Sequence, residues 1–201
     1  ETATGKKLKD ELKWIKFSDI AWRGNGFYYS AYSAPKAFSS ELSNKNEYHK
    51  VFYHKVGDEQ NKDELIYEDK EHALRNFSGS VTEDETLLLL YGSESTSGTS
   101  LAVKDLTNPK SEFVWLVENF ENNYGVLDND GKKLLVITDK DAPKYQLVEM
   151  DITKKEESKD WKKILPQTND LLESASLCNG KIVAKYLKDV TTRLYIYDRS
   201  G

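Results

Sequence analysis

A chain of 201 residues, of which 38% are hydrophobic and 31% charged, is long enough to bury a sizeable core under a well-solvated surface. Its 29 basic and 34 acidic residues give a net charge of -5 and are mixed along the chain, which argues against nucleic acid as a partner. The longest apolar run, residues 87–91, is far shorter than the roughly 20 residues of a membrane helix, so we expect no membrane partner. The single cysteine, Cys178, excludes an internal disulfide but does not separate a cytoplasmic from a periplasmic location.

The chain begins with a polar stretch and an aromatic-rich hairpin. Residues 8–13 are predicted to form an outer edge strand. In residues 14–33, two apolar runs flank a turn that contains two glycines, and Ile15 and Phe17 alternate with polar residues, which predicts a β-hairpin. Residues 34–48 follow as a long polar insertion, which is either functional or disordered.

The remaining strands repeat this design at a regular spacing. After strands at residues 49–57 and 64–68, further strands are predicted at residues 74–81, 86–91, 101–106, 113–117, 124–127, 133–138, 145–152 and 161–165, and a last group begins at residue 172. The third strand of each group ends at Lys55, Asp105, Asp151 and Asp198, a spacing of about 46 to 50 residues. Four strands in a repeat of this length are typical of a β-propeller blade, whereas a β-sandwich predicts short strands without this period.

We therefore predict an all-β chain, a partial β-propeller of about four four-stranded antiparallel blades. The predicted units are an outer strand of a preceding blade in residues 1–13, blades in residues 14–69, 70–121 and 122–167, and an incomplete blade in residues 168–201. Because the two ends hold complementary pieces of one blade, we expect an open arc whose end faces are covered by self-association. Ring closure through residues 8–13 is the alternative.

The sequence offers no local motif for catalysis or metal binding. His49, His54 and His72 lack metal-binding spacing, and strand alternation places neither His49 nor His54 opposite an acidic pair, so they are interpreted as surface or packing residues. Residues 128–131 are interpreted as a hairpin turn and not as a calcium loop, and no GxSxG motif occurs. We expect no catalytic residue, no metal and no cofactor. A hydrolase that uses paired carboxylates is a weaker alternative, since no pair stands out among the 34 acidic residues.

Several longer motifs occur in one order along the chain. They are WIKFSDIAW from residue 14, GFYYSAY from residue 26, HKVFYHKVG from residue 49, VTEDETLLLL from residue 81, TSGTSLAVKDL from residue 96 and TDKDAP from residue 138. Together they resemble the N-terminal propeller of the prolyl oligopeptidases, serine peptidases that cut after proline in short peptides. The resemblance covers nearly the whole chain.

This resemblance implies a portion of a seven-bladed propeller that belongs to a larger enzyme. In that family a separate α/β-hydrolase domain carries the Ser, Asp and His of the triad, and this chain has no counterpart of it. We therefore expect that the chain itself is not an enzyme. Its implied partners are the catalytic domain of the same parent chain and short proline-containing peptides.

The resemblance also assigns candidate residues for substrate contact and for gating. It places Phe17, Phe77 and Thr96 on the substrate-pocket side, although Phe17 could equally be a strand residue that fills the space between blades. A mobile gating loop of the family matches the insertion, and its candidate residues are Ala34, Pro35, Ser43, Asn46 and Tyr48. The alternative for this insertion is a surface loop without a role. The family often carries an arginine near residues 92–98, and its absence here argues against a charge-mediated peptide contact from that loop.

The sequence thus predicts the non-catalytic, substrate-gating propeller part of a post-proline-cleaving serine oligopeptidase. The alternative from another class is a free-standing propeller scaffold that binds protein or peptide partners. A strand-GxSxG-helix segment downstream in the same reading frame would distinguish the two.

Overall fold

The computed structural model describes residues 2–34, 45–154 and 158–201, and these residues form four antiparallel sheets. Sheet 1 contains β1 (Ala21–Arg23), β2 (Gly26–Ala31), β3 (Lys50–Lys55) and β4 (Glu64–Glu68). Sheet 2 contains β5 (Asn76–Val81), β6 (Leu87–Ser93), β7 (Ser100–Asp105) and β8 (Val114–Val117). In both sheets the strands lie in chain order, each antiparallel to its neighbour.

The second half of the chain repeats the same order. Sheet 3 contains β9 (Tyr124–Asp130), β10 (Lys133–Thr138), β11 (Gln146–Asp151) and β12 (Lys162–Leu165), and sheet 4 contains β13 (Leu171–Cys178), β14 (Lys181–Lys188) and β15 (Thr191–Asp198). Two short 3₁₀ turns, Gln60–Lys62 and Ser158–Asp160, complete the secondary structure of the described residues. None of the helices in this described part is long and apolar enough to cross a membrane. The predicted all-β propeller with three complete blades and a three-stranded last blade is confirmed.

The leucine run of β6 shows why the sheets stack face to face. Leu87 and Leu89 belong to the core between sheets 2 and 3, whereas Leu88 and Leu90 belong to the core between sheets 1 and 2. Successive side chains of a strand point to opposite faces, so a continuous apolar run supplies both cores. Burial of each such leucine stabilises the fold by about 1.5–3 kcal/mol.

Three cores of this kind hold the four sheets together. Each core is made from apolar side chains on the facing surfaces of two neighbouring sheets. Representative pairs are Val51 with Leu88 between sheets 1 and 2, Leu101 with Leu134 between sheets 2 and 3, and Leu147 with Ile182 between sheets 3 and 4. The sheets therefore follow one another like blades, and each blade is stabilised by its neighbours.

The strand directions define two ends of this stack. Antiparallel neighbours alternate in direction, so every second connection lies at the same end. At the end that we call the upper end lie residues 32–34 and 45–49 and the connections 69–75, 94–99, 118–123, 139–145 and 166–170. The opposite, lower end carries the hairpin turns 24–25, 82–86, 131–132 and 179–180.

At the lower end, polar side chains link each blade to the next. Arg23 donates from Nη2 to the Leu106 carbonyl at 2.9 Å, which joins sheet 1 to sheet 2. Asn129 donates from Nδ2 to Asp84 Oδ2 at 2.9 Å, and this contact joins sheet 3 to sheet 2. Arg199, directly after β15, forms an ion pair of 2.8 Å with Asp128 and so joins sheet 4 to sheet 3.

Two predicted strands at the start of the chain are wrong. Residues 8–13 form no strand. Asp10 is bonded to His54 of β3 and to the Gly57 N–H, and the Lys13 N–H donates to the Gln60 side chain in the connection between β3 and β4. Residues 14–20 form no strand either, and the first strand contains only Ala21–Arg23. Trp14 and Phe17 adopt positive φ angles of 61° and 51°, which no extended strand contains.

The predicted turn at residues 128–131 is displaced by two residues. β9 continues through Asp130, and the turn consists of Gly131 and Lys132. Gly131 has a φ of 58°, the left-handed conformation that glycine adopts without a steric penalty. The glycine therefore decides where the strand ends.

Candidate functional site

Phe17 lies at the upper end, in the segment that leads into β1. Its side chain is 70% exposed, and its φ of 51° is a left-handed conformation that costs a bulky residue about 1–3 kcal/mol. Two hydrogen bonds flank it: the Ser30 N–H donates to Ser18 Oγ at 2.7 Å, and His49 Nε2 lies 3.0 Å from the Lys16 carbonyl oxygen. These contacts hold a strained backbone that presents an aromatic ring to solvent.

The two ends of the polar insertion lie beside this segment. Ala34 is exposed just after β2, and Asn46 Oδ1 accepts a hydrogen bond from Lys16 Nζ at 3.1 Å. The Tyr48 N–H donates to the Ala73 carbonyl at 2.7 Å, and Tyr48 is a second exposed aromatic residue with a positive φ, 57°. Pro35 and Ser43 lie outside the described residues. The structure thus places the described gating candidates at the same end as Phe17.

Phe77, the first buried residue of β5, lies inside the core between sheets 1 and 2. It is 2% exposed and packs edge-on against Tyr67, with ring centroids 4.7 Å apart. Its N–H donates to His49 Nδ1 at 3.0 Å, so its backbone is joined to the same histidine that holds the Lys16 carbonyl. The Phe77 ring also lines a groove of about 580 Å³ that opens between the two sheets near the upper end.

Thr96 is exposed in the 94–99 connection, whose two ends are fixed by neighbouring segments. On one side, Glu94 Oε1 accepts a hydrogen bond of 2.6 Å from Arg75 Nε. On the other side, the Gly98 N–H donates to Asn123 Oδ1 at 3.0 Å, and a Cβ at Gly98 would lie 1.8 Å from the Phe120 carbonyl oxygen. Thr96 therefore lies exposed in a connection whose two ends are both held by neighbouring segments.

Arg75 supplies a guanidinium to this region although residues 92–98 contain no arginine. Its Nη1 lies 3.2 Å from Asp69 Oδ2, its Nε binds Glu94, and its guanidinium carbon lies 5.0 Å from the centre of the Phe120 ring. The paired carboxylates raise the pKa of Arg75 above its ordinary value despite the opposing effect of burial. Because two carboxylates neutralise its charge, Arg75 fixes the connections and leaves little charge for a peptide.

One polar atom of the groove is not accounted for by the protein. The Ser100 hydroxyl is buried and has no hydrogen-bond partner among the residues that the structure describes. The groove is lined by aromatic side chains, such as Tyr67, Trp115 and Phe120, and by charged side chains, such as Glu68 and Arg75. A buried hydroxyl without a partner is uncommon in folded proteins, so Ser100 is an unsatisfied polar group at this groove.

From the sequence, His49 and His54 are interpreted as surface or packing residues, and the structure buries both, His49 directly before β3 and His54 within it. His49 is 1% exposed and joins Lys16, the neighbour of the candidate Phe17, to Phe77, which is itself a candidate. His54 was expected not to face an acidic pair, and this expectation is wrong: its Nδ1 lies 2.7 Å from Asp63 Oδ1 and its Nε2 lies 3.1 Å from Asp10 Oδ1. Both carboxylates come from segments outside the strands, so strand alternation gives no signal for them.

The comparisons with known proteins agree with this geometry. The family model described as "Prolyl oligopeptidase, N-terminal beta-propeller domain" matches residues 1–201. A prolyl endopeptidase of Elizabethkingia miricola is 37% identical over 100% of this chain and 28% of its own length. Prolyl oligopeptidase A of Galerina marginata is 31% identical over 97% of this chain and 28% of its own length. The chain thus spans between a quarter and a third of the length of these curated relatives.

A solved structure shows the same fold. Prolyl oligopeptidase B from Galerina marginata, bound to a 25mer macrocyclization substrate, superimposes with a TM-score of 0.88 at 28% sequence identity. The match covers 100% of this chain and 28% of that chain. With the family model, the curated relatives and the blade architecture in agreement, the chain belongs to the N-terminal β-propeller family of the prolyl oligopeptidases.

Proposed function

We propose that this chain is the non-catalytic, substrate-gating propeller part of a post-proline-cleaving serine oligopeptidase, where it limits access to short proline-containing peptides. Its proposed partners are the α/β-hydrolase domain of the same parent chain and the peptide substrate. The curated relatives are named prolyl endopeptidase and prolyl oligopeptidase, and the similar prolyl oligopeptidase B has been solved with a 25mer macrocyclization substrate. These names support the reaction class of the parent.

The observation that carries this proposal is the presentation of Phe17. An aromatic ring with 70% exposure on a left-handed backbone is costly for a residue without a binding role. Thr96 and the ends of the 34–48 insertion lie at the same end of the sheets. An exposed ring beside the ends of the insertion is a suitable wall for a peptide that enters from the upper end.

The contacts of the histidines support a non-catalytic role for the chain itself. In the described residues, the His49 ring contacts backbone groups, whereas the His54 and His72 rings contact aspartate carboxylates, and none of these contacts is to a serine hydroxyl. A Ser-His-Asp triad needs all of its members in one geometry. The 201-residue chain is therefore expected not to hydrolyse a Gly-Pro chromogenic peptide, and turnover that is lost on replacing one of its serines would contradict this.

The decisive experiment uses the full-length product of the reading frame that contains this chain. It is expected to cleave a Gly-Pro chromogenic peptide, and Phe17→Ala should raise KM with little change in kcat, because the lost contact is made to the bound substrate. Leu65→Ala is the matched control, since Leu65 is a half-exposed apolar residue of the outermost strand β4.

Two results would overturn the proposal. A full-length product without post-proline cleavage and without a strand-GxSxG-helix segment would favour the free-standing scaffold. An active enzyme in which Phe17→Ala and Leu65→Ala have equal KM values would remove Phe17 from the substrate path.

A further inference from the structure

His49, directly before β3, holds two distant backbone segments with its two ring nitrogens. Nε2 lies 3.0 Å from the Lys16 carbonyl oxygen, and Nδ1 lies 3.0 Å from the Phe77 nitrogen. A carbonyl oxygen only accepts and an amide N–H only donates, so Nε2 must carry the proton and Nδ1 must be bare. The geometry therefore specifies a neutral imidazole in one tautomer.

The surroundings of His49 favour that neutral form. The side chain is 1% exposed, and burial lowers the pKa of the imidazole below its ordinary value. The Tyr32 ring lies against it with centroids 4.5 Å apart, and the Tyr32 hydroxyl donates to Asn76 Oδ1 at 2.5 Å. Two rings side by side thus span from the segment before β1 to the start of β5.

The hydrogen bond between His49 and Lys16 restrains the backbone of the next residue, Phe17. The Lys16 carbonyl belongs to the peptide bond that joins Lys16 to Phe17, so the hydrogen bond from His49 fixes the plane on the N-terminal side of Phe17. On the C-terminal side, Ser18 Oγ holds the Ser30 N–H at 2.7 Å. With both flanking positions held, Phe17 keeps its left-handed conformation and its ring stays exposed.

We propose that His49 is a positioning residue for peptide recognition, which sets the orientation of Phe17 through the Lys16 carbonyl and links it to the start of β5. This inference rests on the proposed function, because the substrate is the peptide for which Phe17 forms a wall. His49 itself touches no substrate. His49 is buried behind the segment before β1, whereas the candidates Phe17 and Thr96 are exposed.

The test combines kinetics of the full-length product with spectroscopy of the 201-residue chain. His49→Phe, which retains a ring but loses both hydrogen bonds, is expected to raise KM for the Gly-Pro peptide about tenfold with kcat nearly unchanged. His49→Gln can donate to one partner and accept from the other, so it should recover most of the loss. His72→Phe is the matched control, because His72 is half-exposed on a neighbouring connection.

The spectroscopic arm measures the link itself. In the 201-residue chain, ¹⁵N NMR should show a His49 ring protonated at Nε2 only, and His49→Phe should speed amide exchange at Phe77. A ring protonated at Nδ1 overturns the proposal. So does a folded His49→Phe enzyme with an unchanged KM, and if that variant does not fold, His49→Gln with a KM as high as that of Phe17→Ala does the same.

The two proposals fail in different ways. If the full-length product does not cleave after proline, the proposed function fails, while the tautomer and the exchange at Phe77 still report on the link made by His49. If cleavage and the Phe17→Ala effect are both observed but the His49 variants behave like His72→Phe, only the positioning role fails.

Discussion

Replacing His54 with glutamine is expected to destabilise the fold far more than replacing another carboxylate-bound histidine. His54 is fully buried in β3 between Asp63 and Asp10, at 2.7 and 3.1 Å. Both ring nitrogens face carboxylate oxygens, so both donate and the ring is the cation between two anions. Glutamine has a similar length but no charge, and it leaves the two carboxylates without their counter-ion.

The expected loss follows from the burial of the acids. The Asp63 side chain is 3% exposed, and its other oxygen accepts a hydrogen bond from the Tyr29 hydroxyl at 2.7 Å. Removing one partner of a buried ion pair costs about 3–5 kcal/mol, because the remaining charge stays buried without compensation. The glutamine amide can still donate to one acid, so we expect a loss near the lower figure, about 3 kcal/mol.

The pH dependence has a definite sign. Burial alone would lower the pKa of His54, but hydrogen bonds to Asp63 and Asp10 raise it above the ordinary value of 6.5. A raised pKa in the folded state means that this stabilisation is fully present below about pH 6.5 and is lost as the pH rises through the folded-state pKa. At the acid side, the Gly57 N–H and His54 lower the pKa of Asp10 below 3.8, so its contribution is lost as the pH falls through that lowered value.

Urea unfolding of the wild type and His54→Gln over a pH series measures this contribution. His72→Gln is the matched control, because His72 also lies 3.0 Å from a carboxylate, that of Asp69, but its side chain is 47% exposed. An exposed pair of this kind contributes about 0–1 kcal/mol. Equal losses in the two variants, or a His54→Gln loss that stays constant into alkaline pH, would show that His54 is not the buried cation.

Phe17→Ala is expected to change the free energy of unfolding by less than about 1 kcal/mol, whereas Phe77→Ala should cost about 3–5 kcal/mol because Phe77 is buried. If urea unfolding shows equal losses of unfolding free energy in the two variants, Phe17 is a core residue. The carboxyl of Asp105 is expected to titrate near pH 2, because a hydrogen bond from Lys132 Nζ at 2.5 Å lowers its pKa to about 2. A ¹³C NMR midpoint near the ordinary 3.8 would exclude that bond. The outer edge of β15 is not paired with any strand of the described residues and exposes Ile196, so sedimentation at micromolar concentration should show self-association that Ile196→Lys reduces. A wild-type monomer would contradict this.

The repeat of the fold could be predicted from the sequence alone. The predicted ends of the third strand in each group agree with the structure. They are Lys55 (β3), Asp105 (β7), Asp151 (β11) and Asp198 (β15). A strand is also predicted at residues 86–91, and β6 includes the apolar run of this segment, which the structure buries on both faces. Side-chain alternation and turn residues act within a few positions, so they are visible in the chain itself.

The candidate site could be predicted only in part. The resemblance assigns Phe17, Phe77 and Thr96 to the substrate-pocket side and the insertion to gating. The structure brings the described residues of both sets to one end, with Phe77 buried. The resemblance did not indicate that Phe17 would leave the strand for a left-handed conformation, because that conformation depends on hydrogen bonds from His49 and Ser30, both far along the chain. Local propensity alone favours an extended aromatic residue there.

The buried polar contacts were decided by the tertiary structure. His54 meets Asp63 nine residues away and Asp10 44 residues away, and His49 meets Lys16 across 33 residues. Strand alternation determines which face of a sheet a histidine occupies, but not which distant segment packs over that face. A buried polar group must find a partner, and only the folded arrangement of the segments before β1, between β3 and β4, and at the start of β5 determines which partner it finds.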